Sequence, residues 1–158
     1  MDFDYDKRPA IVNLVIWSIA AIWLIILLVL LQMDQLMFIL LIVAVMTIAL
    51  VVVGVSPLLT SHDVEEDRII IRQGWHSRVV VPIEKVTSVH RMEKIGIKEG
   101  VILDAFNRTL VMTGSKKNGV RIELKSEIRV PSAFWKKVET VVLDVNEPER
   151  FIAAIGKS

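Results

Sequence analysis

Two long apolar runs lie close together near the N-terminus of the chain. The first extends from Ala10 to Leu31 and the second from Leu36 to Val55, and neither contains a charged residue. At a rise of about 1.5 Å per residue, each run forms a helix of roughly 30 Å, the thickness of the hydrocarbon core of a bilayer. The sequence therefore predicts a transmembrane helical hairpin over residues 10–57, followed by a soluble domain over residues 58–158.

The residues around the hairpin predict its ends and its orientation. Residues 1–9 are polar and short, and we expect them to form a flexible tail. Gly54 and Pro57 are typical of a helix end, so they mark the end of the second helix. Lys7 and Arg8 precede the first run, whereas Asp34 is the one charged residue between the runs. The positive-inside rule therefore predicts an integral cell-membrane protein with both termini in the cytoplasm.

A cleaved signal peptide is the alternative interpretation of the first run. The hydrophobic region of a signal peptide usually has about 7–15 residues and is followed by a small-residue cleavage site. The run from Ala10 to Leu31 is longer than that, and no such cleavage site follows it. We therefore expect a retained anchor.

Composition excludes several classes of function. The chain of 158 residues has no cysteine, so it forms no disulfide, iron–sulfur cluster, thiolate zinc site or thiol nucleophile. The formal net charge of +1 is too balanced to indicate nucleic-acid binding. After the two apolar runs, the rest of the chain has the composition of an ordinary globular domain.

From Thr60 onward, the hydrophobic period changes from that of a helix to that of a strand. Short β-branched or alternating segments, separated by turn residues, predict about seven strands. The segment Val120–Lys125 alternates apolar and charged residues, and Asn118-Gly119 before it favours a hairpin turn. These strands predict an all-β domain that forms a curved sheet or an open barrel.

The last part of the chain predicts one short helix that closes this β domain. Asn146 is a suitable N-cap, Pro148 suits the first turn, and Glu149 has the spacing of a capping box. Phe151 and Ile155 then fall on one face of the helix and form its apolar stripe.

Three segments of the chain match a known arrangement. Leu59-Thr60 with Asp67–Gly74 is similar to an opening strand and its glycine turn, Val81–Val89 to a following segment that contains Pro82, and Asp144–Phe151 to a closing strand and helix start. On these segments, the chain resembles the prokaryotic PH-like domain membrane proteins, a family of unknown function. The resemblance implies a two-helix hairpin, then a seven-stranded sheet capped by a helix, without an established activity.

The sequence contains no recognisable catalytic constellation. His62, His76 and His90 do not have the spacing of a metal site, and no serine lies in a nucleophile elbow. Ser115–Gly119 superficially resembles a phosphate-binding loop, but it lacks the two-glycine frame and the following helix. We therefore predict no catalytic residues, no metal site, no cofactor and no enzymatic activity.

Basic residues form the one charged cluster of interest. Arg72 and Arg78 lie in or beside the first hairpin, and Lys116 and Lys117 lie in one turn. Basic residues of the first hairpin bind phosphoinositide headgroups in eukaryotic PH domains, and the resemblance implies that Arg72 and Arg78 occupy roughly that place. These four residues are the candidates for a lipid-facing surface, and solvated surface charge is the alternative.

Two hypotheses of function follow from the sequence. The first is a noncatalytic adaptor or assembly module, in which the hairpin fixes the location and the domain binds a protein or another copy of itself. The second is a sensor of anionic lipids or headgroups that uses the basic residues. Phe134 and Trp135 are candidate interface aromatics, with core packing as the alternative. The expected partners are the lipid bilayer and a protein partner or a second copy, and no nucleic acid.

Overall fold

The computed structural model describes residues 1–30, 36–96, 100–131 and 135–156. Helix α1 spans Arg8–Leu30, and helix α2 spans Leu36–Ala49. The second helix continues as a π-helical segment over Leu50–Val55 and a 3₁₀ turn over Ser56–Leu59. Two stretches of 23 residues, Arg8–Leu30 and Met37–Leu59, are long and apolar enough to span a membrane. The residues between the helices, including Asp34, lie outside the described part of the chain.

Gly54 lies within the second helix, not at its end. A Cβ atom at this position would come within 2.8 Å of Leu14 Cδ1, because the two helices approach each other closely there. Glycine therefore permits helix–helix packing at this level, which is its common use in membrane helices. The sequence predicts a helix end at Gly54, whereas the helical backbone continues through Leu59.

Nine strands in the described residues form two sheets. The first sheet is antiparallel, with the order β1-β2-β3-β4; the second has the order β5-β8-β9-β7-β6, in which only β7 and β9 run parallel. The strands are β1 (Asp2–Phe3), β2 (His62–Val64), β3 (Arg68–Arg72), β4 (Arg78–Pro82), β5 (Val86–Lys94), β6 (Gly100–Asp104), β7 (Thr109–Thr113), β8 (Lys117–Val130) and β9 (Lys136–Asp144).

The predicted combination of a helical hairpin, a β domain and a C-terminal helix is confirmed. The finer arrangement differs, because the described residues form nine strands in two sheets where the sequence predicts about seven strands in one curved sheet or open barrel. Strand β8 is also longer than the sequence predicts. Its register with β9 is interrupted between Glu123 and Ile128, so one long strand contains a bulge where the sequence predicts only Val120–Lys125.

The first residues of the chain belong to the β domain. Phe3 pairs with His62 in the first sheet, and its buried ring meets the Phe151 ring edge-on at 5.1 Å. Tyr5 is also buried. Where the sequence predicts a flexible tail over residues 1–9, the structure has a strand and two core aromatics, because the apolar side chains of Phe3 and Tyr5 find a buried surface.

Helix α3 (Pro148–Ile155) closes the core with Phe151 and Ile155, as its apolar stripe predicts. The predicted capping box does not form. Glu147 is the N-cap residue and makes no side-chain capping hydrogen bond, while the Asn146 N–H donates to the Asp4 carbonyl. The Asn146 N–H, which the predicted capping box would pair with the Glu149 side chain, is therefore bonded to the N-terminal segment instead.

Asn118-Gly119 also has a role different from a hairpin turn. Asn118 has a φ of +54°, but both Asn118 and Gly119 lie within β8. A Cβ atom at Gly119 would come within 2.6 Å of Ile95 Cγ1. Close packing against Ile95, in addition to backbone freedom at Asn118, therefore explains this dipeptide.

Candidate membrane-proximal surface

The ends of the two helices are joined to the β domain by side-chain hydrogen bonds. The Tyr5 hydroxyl donates to the Pro57 carbonyl at 2.6 Å and lies 3.1 Å from Thr60 Oγ1. Thr60 Oγ1 also accepts the Gly74 N–H at 3.0 Å, and Ser56 Oγ accepts the Trp75 N–H at 3.2 Å. The β3–β4 turn is therefore held directly against the end of the second helix, at the end of the domain nearest the helices.

His62 lies fully buried beneath this junction. Its ring stacks on Tyr5 with 5.0 Å between the centroids. Nδ1 accepts the Arg72 N–H at 3.2 Å, so the ring proton is on Nε2, which faces the Asp144 carbonyl at 3.2 Å and donates to it. Burial lowers the pKa of His62 to about 4. The ring is therefore neutral at neutral pH and serves as a structural link between the two sheets.

Asp144 is the buried carboxylate that connects the tail to the second sheet. Its Oδ1 accepts the Gly114 N–H at 2.7 Å, and its Oδ2 accepts the Asp6 N–H at 3.2 Å. Burial raises the pKa of Asp144 to about 6, although the two N–H groups favour the charged form. A Cβ atom at Gly114 would clash with the Asp6 carbonyl oxygen, so the tail lies directly on this glycine.

The four predicted basic residues are divided between the two sheets. Arg72 and Arg78 are directly opposite each other in the β3–β4 ladder, and Arg72 forms an ion pair with Asp63 at 3.3 Å. Lys116 and Lys117 are exposed at the β7–β8 bend. Arg78 lines one groove and Lys117 another, whereas Arg72 and Lys116 line neither of these two.

The groove at Arg78, which we call the hairpin groove, has a volume of about 650 Å³. It is lined by His76, Arg78, Val80, Arg129 and Pro131. No local sequence signal indicates Arg129, because only the fold brings the end of β8 beside β4.

Two exposed tryptophans are connected to the hairpin groove through neighbouring residues, although neither lines it. Trp75 precedes His76 and is 59% exposed. Trp135 is 67% exposed, and its N–H donates to the Val130 carbonyl. A φ of +60° is uncommon for such a bulky residue. Core packing is therefore not the role of Trp135, and Phe134 lies outside the described residues.

A second groove, which we call the tail groove, lies between the first residues of the chain and the β7–β8 bend. Its volume is about 500 Å³. Lys7, Arg8 and Lys117 are its cationic side chains, and Asp4, Asp6 and Asp144 are its carboxylates. In the sequence, Lys7 and Arg8 indicate only the orientation of the hairpin, because nothing local indicates that residues 1–9 fold back over the β domain.

Within the described ranges, no three His, Asp or Glu side chains are grouped so that they could hold a metal ion. No protein-family model, no curated protein and no solved structure matches this chain. The fold and the hydrogen-bonded junction alone define the class of molecule: two membrane-length helices with a β domain docked against their ends.

Proposed function

We propose that this chain is a membrane-anchored, noncatalytic module whose β domain, PH-like in character, binds a protein partner or a second copy of itself. The main support for this proposal is the hydrogen-bonded junction between the helix ends and the β domain. Hydrogen bonds from Tyr5, Ser56 and Thr60 leave the domain no free linker, so the helices hold it in one orientation at the bilayer surface. A domain held in this way presents the same surfaces to every partner that approaches the membrane.

The surface that best suits a protein partner is the β6 edge with its adjoining turn. Strand β6 (Gly100–Asp104) is an outer strand of the five-stranded sheet, so its outer backbone groups are available to another strand. Phe106 follows it and is 95% exposed. Asp104 Oδ1 accepts the N–H groups of Phe106 and Asn107, each at 3.1 Å, and this fixes the turn.

Phe106 also lies away from the helix ends. Strand β7 ends at Thr113, whose carbonyl accepts a hydrogen bond from the Gln73 side chain in the membrane-proximal turn. Phe106 is at the opposite end of β7, which at about 3.3 Å per residue corresponds to roughly 17 Å of strand. An exposed aromatic in this position suits a soluble partner better than a lipid.

Site-specific photocrosslinking in native membranes tests this function. We expect a benzoylphenylalanine at Phe106 to give one discrete adduct, at the mass of a dimer or of the chain plus a partner. The matched control is the same probe at Glu66, an exposed residue in the β2–β3 turn. Equal adduct patterns at the two positions would contradict a specific protein interface at Phe106.

The second candidate function is contact with anionic lipid through the hairpin groove. The hydrogen bond from the Trp75 N–H to Ser56 Oγ favours it, because this bond keeps the turn at the end of the second helix. The presence of both Arg78 and Arg129 in one groove also favours it. Tryptophan and arginine are both common at membrane interfaces. A probe placed at Trp75 that crosslinks lipid, while the Phe106 probe stays unreacted, would favour this second function.

We propose that both termini and the β domain are cytoplasmic, because no Lys or Arg lies between the two apolar runs, whereas Lys7 and Arg8 precede the first run. The chain has no cysteine, so a single cysteine introduced at Asp34 reports on this position alone. An impermeant thiol reagent is expected to label Asp34→Cys in intact cells. Labelling that requires lysis would reverse the orientation.

A further inference from the structure

The tail groove lies where the first helix begins. Arg8 is the first residue of α1 and Ile11 is about one turn further on, and both line the groove. Ile11 is 50% exposed and belongs to the apolar span, whereas Lys117 on the opposite wall belongs to the β domain. The groove therefore extends from the edge of the apolar layer into the polar layer, which is the depth of phospholipid headgroups.

The charges of this groove are balanced, and one pair of them is joined in an ion pair. Arg8 and Lys117 have no ion pair within the described residues, whereas Lys7 forms one with Asp4 at 2.8 Å. Asp6 Oδ1 accepts the Arg8 N–H at 3.0 Å, so this carboxylate is held at the groove. Two unpaired cations and several carboxylates in one cleft suit a ligand that has both signs of charge.

We propose that the tail groove binds the headgroup of a zwitterionic phospholipid that carries a primary ammonium. Arg8 and Lys117 bind the phosphate, because guanidinium and ammonium groups form charge-assisted hydrogen bonds with phosphate oxygens. The Asp6 carboxylate, which has no ion pair within the described residues and is held at the groove by the Arg8 N–H, binds the ammonium. Ile11 contacts the start of an acyl chain.

The chemistry of the groove favours a primary over a quaternary ammonium. Carboxylates bind a primary ammonium through its N–H groups, whereas a quaternary ammonium has none and is bound by open aromatic faces. Of the residues that the structure describes, Tyr5 is the only aromatic one that lines the groove, and its buried ring is stacked on His62. A purely anionic headgroup would be repelled by the carboxylates of the groove, because it has no cation for them to bind.

Native mass spectrometry of the full chain, released from detergent micelles, tests the assignment. The probes are phosphatidylethanolamine, phosphatidylglycerol and phosphatidylcholine with identical acyl chains. We expect retention of phosphatidylethanolamine above the other two lipids. The double variant Arg8→Gln/Lys117→Gln is expected to lower that retention about tenfold, since it removes two charge-assisted hydrogen bonds.

Lys116→Gln is the matched control, because Lys116 is the sequence neighbour of Lys117 and does not line the groove. It is expected to retain phosphatidylethanolamine as the parent chain does. Asp6→Asn, which keeps an oxygen to accept the Arg8 N–H, is expected to weaken phosphatidylethanolamine more than phosphatidylglycerol. If the double variant does not fold, Lys117→Gln alone, at an exposed bend, is expected to lower retention about threefold relative to Lys116→Gln.

Two results would overturn the proposal. Preferential retention of phosphatidylglycerol would show that net charge alone attracts lipid to this end of the domain. Equal losses in Lys116→Gln and Lys117→Gln would show that lipid adsorbs without using the groove. Neither result depends on the partner of the β6 edge, so this proposal and the adaptor function can fail separately.

Discussion

Replacement of Phe151 by aspartate is expected to unfold the β domain while the membrane helices remain inserted. Phe151 is fully buried and meets Phe3 edge-on, so it joins the closing helix to the first strand. Truncation of a buried phenylalanine costs about 3–5 kcal/mol, and burial of an unpaired carboxylate adds to this cost. The sum is comparable with the whole stability of an ordinary domain, which is about 5–15 kcal/mol.

Limited proteolysis of the full chain in micelles measures this effect. We expect rapid cleavage of the β domain in Phe151→Asp and resistance in the parent chain. Phe106→Asp is the matched control, because it makes the same substitution at a phenylalanine that is 95% exposed. Phe151→Asp that resists protease as well as Phe106→Asp does would show that α3 does not close the core.

Opposite pH dependences are expected from the Asp144→Asn and His62→Gln variants. The folded-state pKa of Asp144 is raised from 3.8 to about 6, so its contribution to stability is present at low pH and is lost as pH rises between these values. The folded-state pKa of His62 is lowered from 6.5 to about 4, so its contribution is present at high pH and is lost as pH falls through this range. Each shift corresponds to about 3 kcal/mol in the free energy of unfolding.

The two contributions therefore largely cancel in the parent chain between about pH 4 and pH 6. Carboxylates of the N-terminal segment act on both residues. Asp6 raises the pKa of Asp144, and Asp2 and Asp4 raise that of His62. In Asp144→Asn, only the histidine titrates, and stability is expected to rise with pH. In His62→Gln, only the carboxyl group titrates, and stability is expected to fall with pH.

Chemical unfolding of the full chain at several pH values, compared between the two variants, checks this expectation. The difference between variants removes the background from carboxylates that both share. The double variant is a further control, and it should lack both trends. Parallel pH profiles for Asp144→Asn and His62→Gln would mean that these groups titrate alike in the folded and unfolded chains.

The helices and the main strands could be predicted because their signals are local. A charge-free run of the length from Ala10 to Leu31 satisfies its backbone groups within one helix, wherever the rest of the chain lies. The β-branched residues of β3 and the apolar stripe of α3 likewise depend on neighbours in sequence. Phe151 and Ile155 are buried as the helical period predicts.

Residues 1–6 are the clearest case that sequence reasoning missed. Asp2 and Asp4 make the segment polar, and its length is too short for a period to be detected. The signals that remain are the aromatic residues Phe3 and Tyr5 within it, which are unusual in a solvated tail. Their burial depends on strand β2 and helix α3, whose positions are set only by the folded domain.

By itself, the sequence determined the two membrane-length helices, the presence of a β domain after them and the apolar face of the closing helix. Tertiary structure decided which polar residues meet. Asp6 and Asp144 are 138 residues apart in the chain and share a hydrogen bond, and Lys117 faces Arg8 across one groove. The physical reason is that helix and strand patterns repeat over a few residues, whereas a site depends on contacts that form only after the elements have packed.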